Sequence, residues 1–184
     1  MIYAKRPCQE TLNMIILHQF EISPFCDKIR RILNYKGQTF KVREVSIMDT
    51  AKGTIKKVNR IGKLPALDID GKIVCDSTNI AYALEERFPN PPVIPTDPRQ
   101  RALVHVLEDW ADESLYFYEM HLRFTLPHNA DKTLASLLAQ EPSLIKLLVP
   151  IAVPASMKRI TKTQGVGKKP IEMVCQDITR HISS

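Results

Sequence analysis

The sequence predicts a mixed α/β N-terminal domain followed by an all-α domain, and three observations carry this prediction. Over residues 14–88, short apolar segments alternate with segments of helical spacing. Five prolines then fall within residues 89–98, which is typical of a semi-rigid linker. Beyond the linker, apolar residues recur at helical spacing only. We therefore expect a flexible extension at 1–13, domains at 14–88 and 99–184, and a linker at 89–98.

The first domain is expected to open with a buried strand and a capped helix. Residues 14–19 form a short apolar run, as buried strands do. Ser23 followed by Pro24 indicates a helix start, because a hydroxyl caps the first amides and proline suits the first helical position. Gly37 marks the expected end of this helix. The spacing thus places Ser23 at the junction of a strand and a helix.

A second strand, a hairpin and a further helix complete the predicted first domain. Apolar residues alternate over 39–45, and the basic stretch 52–60 is predicted to be a loop or a short helix. Residues 63–74 indicate a β-hairpin that turns at Asp70 and Gly71. Asp76 and Ser77 then lead into a helix. The result is a small mixed sheet with helices packed on it.

The second domain is predicted to contain helices only. Apolar stripes indicate one long helix at about 99–124. They also indicate three further helical segments, two of which begin at about 134 and 145, while the third covers 170–181. Pro150 and Pro154 are expected to kink or break the third of these segments. The sequence stops soon after the beginning of what resembles a sixth helix.

Composition and charge argue against several classes of protein. The 184 residues are 44% hydrophobic and 25% charged, which is typical of a globular protein and not of a disordered one. No apolar stretch approaches the roughly 20 residues of a membrane span, and residues 1–17 lack the apolar block of a secretory signal. We therefore expect a cytoplasmic protein with no membrane partner.

The net charge of +6 does not indicate a nucleic-acid partner. Two stretches, 52–63 and 158–169, are basic with no acidic residue, but neither contains the aromatic residues that stack on bases. Solvated helix faces explain such stretches in most proteins. The first stretch also suits a small anionic ligand.

The cysteines do not form a metal or dithiol motif. Cys8, Cys26, Cys75 and Cys175 are far apart in the sequence, and no CxxC pair exists. The histidines are scattered as well. We therefore expect no bound metal, and free thiols in a reducing compartment.

Three short motifs carry a resemblance to a known family. The motifs SPFC at 23–26, GKLP at 62–65 and VCDS at 74–77 occur in an order that resembles cytosolic glutathione S-transferases, most of all the tau, omega and related bacterial classes. Residues 108–113 resemble the helical domain of that family more loosely. The resemblance implies a thioredoxin-like N-terminal domain, a helical C-terminal domain that is incomplete here, and a role in detoxification.

The resemblance also implies functions for individual residues. Ser23 would stabilise the thiolate of glutathione, acting as a hydrogen-bond donor and not as a covalent nucleophile. Leu64 and a cis Pro65 would align the peptide through the Leu64 backbone, and Asp76 and Ser77 would hold its γ-glutamyl end. Lys63 could bind the glycyl carboxylate, with Lys52 as a weaker candidate. For each residue a purely structural interpretation, such as a helix cap for Ser23, stays open.

Two other functions also stay open. Omega-class relatives have a cysteine where this chain has Ser23, so a thiol–disulfide oxidoreductase would have to use Cys26. The interpretation we favour for Cys26 is a buried thiol without a role in chemistry. A non-catalytic binding or assembly module of the same fold is the second alternative.

The partners implied are glutathione as co-substrate, a small electrophilic or disulfide substrate, and a second copy of the chain in a homodimer. The aromatic residues Trp110, Tyr116, Phe117 and Tyr118 are predicted to be mostly core, with one or two lining an apolar acceptor pocket. His121 is predicted to be a core histidine. Because the family continues with further helices, we expect an exposed apolar patch on the helical domain.

Overall fold

The structure is a computed structural model that describes residues 14–139, 141 and 143–183. The expected flexible extension at 1–13 lies outside these residues. The first part of the chain forms four strands and four helices, which confirms the predicted mixed α/β class. They are β1 (Ile15–Gln19), α1 (Pro24–Tyr35), β2 (Lys41–Glu44), α2 (Ile47–Ala51), α3 (Ile55–Val58), β3 (Ala66–Ile69), β4 (Lys72–Cys75) and α4 (Ser77–Arg87).

The four strands form one mixed sheet in the order β2-β1-β3-β4. Strand β2 is parallel to β1, whereas β3 runs antiparallel to both β1 and β4. The turn between β3 and β4 has positive φ at Asp70 (54°) and Gly71 (86°). Two consecutive residues of positive φ match the twist of a hairpin, so the predicted turn is confirmed.

The core of this part lies between the sheet and helices α1 and α4. Ile15 and Leu17 are alternate residues of β1 and point to one face, while the helices contribute pairs spaced by four. The buried cluster consists of Ile15, Leu17, Ile29, Leu33, Leu67, Ile80 and Leu84. Burial of each such side chain stabilises the fold by about 1.5–3 kcal/mol. The core therefore fixes α1 and α4 on the sheet, and with them the positions of Ser23 and Asp76.

The remainder of the chain is helical, as predicted. It contains α5 (Pro98–Trp110), α6 (Tyr116–Thr125), α7 (Pro127–Leu138), α8 (Ser143–Thr163) and α9 (Ile171–Ile182). A π-helical segment at Ala111–Leu115 joins α5 to α6, so the predicted long helix contains one widened turn. A 3-10 turn at Val166–Lys168 precedes α9.

The prediction that prolines break the third helical segment is wrong in its stronger form. Helix α8 continues through both Pro150 and Pro154. Each proline removes one amide donor, yet the two are spaced by one turn and so affect the same side of the helix. Contacts of α8 with α6 and α7 supply the packing that holds it helical.

Several large apolar side chains of the helical part are exposed. They are Leu103, Val106, Leu107, Leu147, Leu148, Ile151, Ile160, Met173 and Ile182. Among the described residues, none of the helices combines the length and the apolar character needed to cross a membrane.

Candidate functional site

The register of the sheet aligns one end of three strands. His18 of β1 pairs with Ala66 of β3, and Ala66 pairs in turn with Cys75 of β4. At this end β1 terminates, β3 begins and β4 terminates. The segments that adjoin these three strand ends must therefore lie next to one another.

Those adjoining segments are the three motifs singled out in the sequence. Ser23 follows the end of β1, Leu64 and Pro65 precede the start of β3, and Asp76 and Ser77 follow the end of β4. The sheet thus brings Ser23 to the same end as residues that lie 41 to 54 positions later in the sequence. Lys63 lies on the same segment as Leu64 and is exposed. Lys52, the weaker candidate, is the exposed C-cap residue of α2.

Ser23 is the N-cap of α1, as its sequence predicts. Its Oγ accepts a hydrogen bond from the Cys26 amide at 3.4 Å, which is longer than a typical amide hydrogen bond. The Ser23 amide itself donates to the Phe20 carbonyl at 2.9 Å. A hydroxyl that accepts a bond through a lone pair can still donate its own proton. Capping and stabilisation of an anion are therefore compatible functions for Ser23.

Cys26 is fully buried and lies one turn into α1. Its Sγ accepts a hydrogen bond from the Phe20 amide at 3.4 Å. Burial raises the pKa of the Cys26 thiol, and the bonds from Phe20 and Ser23 only partly offset this effect. A thiol in such surroundings is uncharged at neutral pH and inaccessible to a disulfide substrate.

The Leu64–Pro65 peptide bond is cis, as the resemblance implied. Pro65 is buried, and both residues precede the first paired position of β3. Asn59 holds the backbone that leads into this segment. Its side chain donates to the Lys63 carbonyl at 2.8 Å and accepts from the Ile61 amide at 3.0 Å. Sequence reasoning missed Asn59, since a single asparagine in a basic stretch gives no signal of such a contact.

Asp76 is the N-cap of α4 and has the unusual backbone angle φ = 75°. Residues other than glycine rarely adopt this conformation, and where they do it is often at functional sites. The amides of Thr78 and Asn79 both donate to Oδ1 of Asp76, each at 3.1 Å. The carboxylate is exposed, so its Oδ2 can face a ligand. Ser77 is buried at the first position of α4.

A charged cluster connects this end of the sheet to the helical part. The Lys28 ammonium lies 2.6 Å from Glu108 and 2.7 Å from Asp112, and the Thr78 hydroxyl donates to Glu108 at 2.6 Å. Burial raises the pKa of the Asp112 carboxyl, and Glu108 adds to this effect while Lys28 opposes it. Burial alone would also raise the pKa of Glu108, but the bonds from Lys28 and Thr78 lower it overall.

Helix α6 makes a second connection, through Arg123. Its guanidinium donates to the Ile22 carbonyl at 2.7 Å, directly before Ser23 in the chain. Arg123 and Ile22 also line a cleft of about 540 Å³ between α6 and α7. The other residues that line this cleft are Glu119, Leu122, Asn129, Lys132, Thr133 and Ser136. The four aromatic candidates for the predicted acceptor pocket are not among the residues that line this cleft.

The aromatic candidates face two different parts of the structure. The Tyr116 ring lies 5.0 Å from that of Phe25 in α1, so Tyr116 faces the first part of the chain. Trp110 instead contacts His181 of α9 at 5.5 Å, and the Tyr118 hydroxyl donates to Asp177 at 3.2 Å. Tyr116 and Tyr118 both follow the π-helical segment and are two positions apart, so they point to roughly opposite sides of α6.

His121 is a core histidine, as predicted. Its side chain is buried, and its Nδ1 lies 3.3 Å from the Thr125 hydroxyl. Burial lowers the pKa of the imidazole, which keeps it neutral at physiological pH.

Comparison with known proteins gives a consistent family for the first part of the chain. A family model described as the N-terminal domain of glutathione S-transferase matches residues 17–92. Glutathione S-transferase U22 of Arabidopsis thaliana is 33% identical over 103 residues, which cover 55% of this chain and 47% of that protein. Probable maleylacetoacetate isomerase 1 of Drosophila melanogaster is 33% identical over 94 residues, which cover 48% of this chain and 38% of that protein.

The structural comparison extends into the helical part. The crystal structure of the beta-etherase LigF from Sphingobium sp. strain SYK-6 matches with a TM-score of 0.59 at 24% identity, over 90% of this chain and 68% of that chain. This likeness shows a shared fold. The chain spans less than half the length of the two curated relatives.

Proposed function

We propose that the chain belongs to the glutathione S-transferase family through its N-terminal domain, binds glutathione and uses the thiolate as a nucleophile. The observation that carries this proposal is the sheet register, which gathers Ser23, Leu64–Pro65 and Asp76–Ser77 at one end of the sheet. These segments together offer a hydroxyl donor, a backbone edge and a carboxylate. A tripeptide thiol with an ammonium and two carboxylates matches that set.

Ser23 supplies the stabilisation that the thiolate needs. A free thiol has a pKa of about 8.5, so only a few per cent is ionised at pH 7. Each unit of lowering requires about 1.4 kcal/mol of preferential stabilisation of the anion. A hydrogen bond to a charged group supplies about 1.5–3 kcal/mol and a helix N-terminus about 0.3–1 kcal/mol. The hydroxyl of Ser23 at the start of α1 can therefore lower the thiol pKa by about one to three units.

The remaining residues orient the peptide. The Leu64 backbone, which precedes the paired part of β3, would bond the cysteinyl residue as an added strand is bonded. Asp76 would pair with the γ-glutamyl ammonium, and the amide and hydroxyl of Ser77 at the start of α4 would receive its carboxylate. Lys63, exposed beside Leu64, would pair with the glycyl carboxylate.

The proposed reaction is a transfer to an electrophile. The glutathione sulfur forms a bond to the electrophilic carbon, and the leaving group departs with its bonding electrons. The cleft beside Ile22 adjoins the segment that carries Ser23, so we assign the second substrate to it.

Isomerisation is a second candidate, favoured by the similarity to a protein named as an isomerase. There the thiolate would add to a double bond and then leave after rotation, so that glutathione is regenerated. Both reactions begin from the same bound thiolate. Disulfide exchange through Cys26 is disfavoured, because that thiol is buried and its pKa is raised.

The domain boundaries at 88 and 99 and a homodimer are parts of the same proposal. The exposed apolar residues Leu103, Val106 and Leu107 on α5 support an association between copies. Light scattering on the eluting protein would measure the mass, and limited proteolysis would test whether cleavage falls within 89–98.

Calorimetric titration of the full chain with glutathione tests the proposal. Asp76→Asn is the informative variant, because asparagine keeps the helix cap while removing the charge. Asp97→Asn is the matched control, since Asp97 caps α5 with the same pair of amide bonds. We expect wild-type binding that Asp76→Asn weakens about tenfold, the loss of about 1.4 kcal/mol, and that the control leaves unchanged. A folded chain with no affinity for glutathione would overturn the proposal in favour of a non-catalytic module.

A further inference from the structure

Arg123 is the one residue of α6 among the hydrogen bonds described above that reaches the segment carrying Ser23. Its Nη1 donates to the Ile22 carbonyl at 2.7 Å across 101 positions of sequence. Its Nη2 forms an ion pair with Glu119, one turn earlier on the same helix. The planar guanidinium therefore joins a carboxylate on α6 to a carbonyl on the β1–α1 segment.

The bonded carbonyl belongs to the same peptide unit as the Ser23 amide. That unit is planar, so its oxygen and its N–H point in opposite directions and move together. Arg123 holds the oxygen, while the N–H donates to the Phe20 carbonyl at 2.9 Å. The Ile22–Ser23 peptide unit is thus held by hydrogen bonds at both its oxygen and its N–H. The Ser23 side chain is held less firmly by its own contact, since the Cys26 amide lies 3.4 Å from Oγ.

Glu119 is built to keep Arg123 in this orientation. Its Oε2 is buried and has no hydrogen-bond partner, so Arg123 is the group that compensates its charge. Burial raises the pKa of Glu119, and the ion pair with Arg123 opposes that effect. The arginine is itself only 21% exposed. A partly buried arginine with a carboxylate on one nitrogen and a carbonyl on the other has little freedom to rotate.

We propose that Arg123, held by Glu119, is a positioning residue that fixes the Ile22–Ser23 peptide and so directs the Ser23 hydroxyl at the glutathione sulfur. This inference rests on the function proposed above. It means that the helical part of the chain sets the acidity of a thiol bound by the first domain. Arg123 need not touch glutathione, so its loss should change the thiol pKa and kcat much more than the affinity for glutathione.

The test compares Arg123→Met, Arg123→Lys and a control, Arg159→Met, which removes an exposed arginine on α8. Glutathione affinity is measured by calorimetry. The pKa of the bound thiol is measured from the ultraviolet absorbance of its thiolate, after subtraction of the spectrum of the glutathione-free protein and its own cysteines. The rate kcat is measured with 1-chloro-2,4-dinitrobenzene, from which the thiolate displaces chloride.

We expect Arg123→Met to lower kcat about tenfold and to raise the pKa of the bound thiol, with glutathione affinity changed less than about twofold. Arg123→Lys, which retains one charged donor, should restore part of both properties. The control should match the wild type. If Arg123→Met does not fold, Arg123→Gln replaces it under the same criteria.

Two outcomes would count against the inference, and they differ from failure of the proposed function. Because Arg123 also lines the cleft assigned to the second substrate, the thiol pKa decides: a folded Arg123 variant with the wild-type thiol pKa would overturn the positioning role, whatever its kcat. A proportional loss of affinity and rate, with no change in thiol pKa, would overturn it as well and leave a structural role. Failure of the wild-type chain to bind glutathione would instead remove the proposed function itself.

Discussion

The ammonium of Lys36 lies 2.6 Å from a carboxylate oxygen of Glu85, and the Lys36 side chain has no solvent exposure. The same ammonium donates to the Phe88 and Pro91 carbonyls at 2.7 and 3.0 Å. Glu85 accepts the Val93 amide at 3.1 Å. The pair thus joins the end of α1 to α4 and to the proline-rich linker, and it fixes where the helical part begins.

Substitution of Lys36 by methionine should destabilise the protein strongly. Methionine fills the space of the buried lysine stem but leaves the Glu85 carboxylate without its partner. Breaking a buried ion pair on one side costs about 3–5 kcal/mol. Urea unfolding at pH 7 measures this difference. Lys41→Met, at an exposed position of β2, is the control and should stay within about 0.5 kcal/mol of the wild type. A loss below about 1 kcal/mol for Lys36→Met would show that the pair contributes little.

Acid should destabilise the protein partly through Glu85. Burial alone would raise the pKa of this carboxyl, but Lys36 and the Val93 and Ile94 amides together lower it. A lowered pKa in the folded state gives stability that is present above the unfolded value, near 4.3, and is lost as the pH falls through the folded value. Glu85→Gln should therefore be less stable at pH 7 but should lose less further stability on acidification. The measurement is the urea midpoint of the wild type and of Glu85→Gln from neutral pH down to about pH 3. If this explanation is wrong, the two midpoints will fall in parallel as the pH is lowered.

Local signals explain why much of the fold could be predicted. Ser23-Pro24 at a helix start and Asp70-Gly71 at a hairpin depend on the conformations of neighbouring residues, which the sequence states directly. The three site motifs were recognisable for the same reason, since each lies within four positions. Their meeting at one end of the sheet needed only the correct strand order.

Contacts between distant residues could not be predicted in this way. Arg123 and Ile22 are 101 positions apart, and Lys36 and Glu85 are 49 apart, so no local pattern links either pair. Asn59 contacts residues close to it in the sequence, but its bond to the Lys63 carbonyl forms only because the chain turns back toward Asn59. The π-helical turn at Ala111–Leu115 also escaped prediction, because a stripe of apolar residues looks continuous whether or not one turn is widened.

Removal of the Ser23 hydroxyl should reduce turnover. Ser23→Ala is expected to lower kcat more than tenfold if the hydroxyl stabilises the thiolate, since a bond to a charged group of about 1.5–3 kcal/mol is lost. The variant also loses a helix cap, which costs about 0.5–2 kcal/mol of stability. Ser46→Ala, at the N-cap of α2, is the control for that loss and should keep its turnover. An unchanged rate in a folded Ser23→Ala protein would exclude the proposed role.

Cys26 and Cys175 should be alkylated at different rates in the native protein. Cys26 is buried with a raised pKa, whereas Cys175 is exposed. We expect iodoacetamide to modify Cys175 of the native protein rapidly and Cys26 only after denaturation. Mass spectrometry of tryptic peptides over a time course measures both rates. Rapid native modification of Cys26 would revive the disulfide reductase as a candidate function.

Lys28 should stabilise the contact between the first domain and the helical part because its ammonium pairs with two neighbouring carboxylates. In Lys28→Met, Glu108 and Asp112 face each other without a cation, and stability at pH 7 should fall by about 1–3 kcal/mol. Burial already raises the pKa of Asp112, and loss of Lys28 would raise it further. A carboxyl whose pKa is higher in the folded than in the unfolded protein destabilises the folded state when it is ionised. Protonation at lower pH removes that destabilisation. The deficit of Lys28→Met should therefore shrink as the pH is lowered toward the pKa of Asp112.

A double-mutant cycle tests whether the two carboxylates are the cause. Asp112→Asn removes one charge while keeping the shape of the side chain, so in the Lys28→Met background it should restore most of the lost stability. In the wild-type background the same substitution removes a partner of Lys28 and should be neutral or destabilising. The sign of its effect must then depend on residue 28, which only a direct electrostatic coupling produces. Equal effects of Asp112→Asn in both backgrounds would mean that Lys28 acts through packing of its aliphatic stem instead.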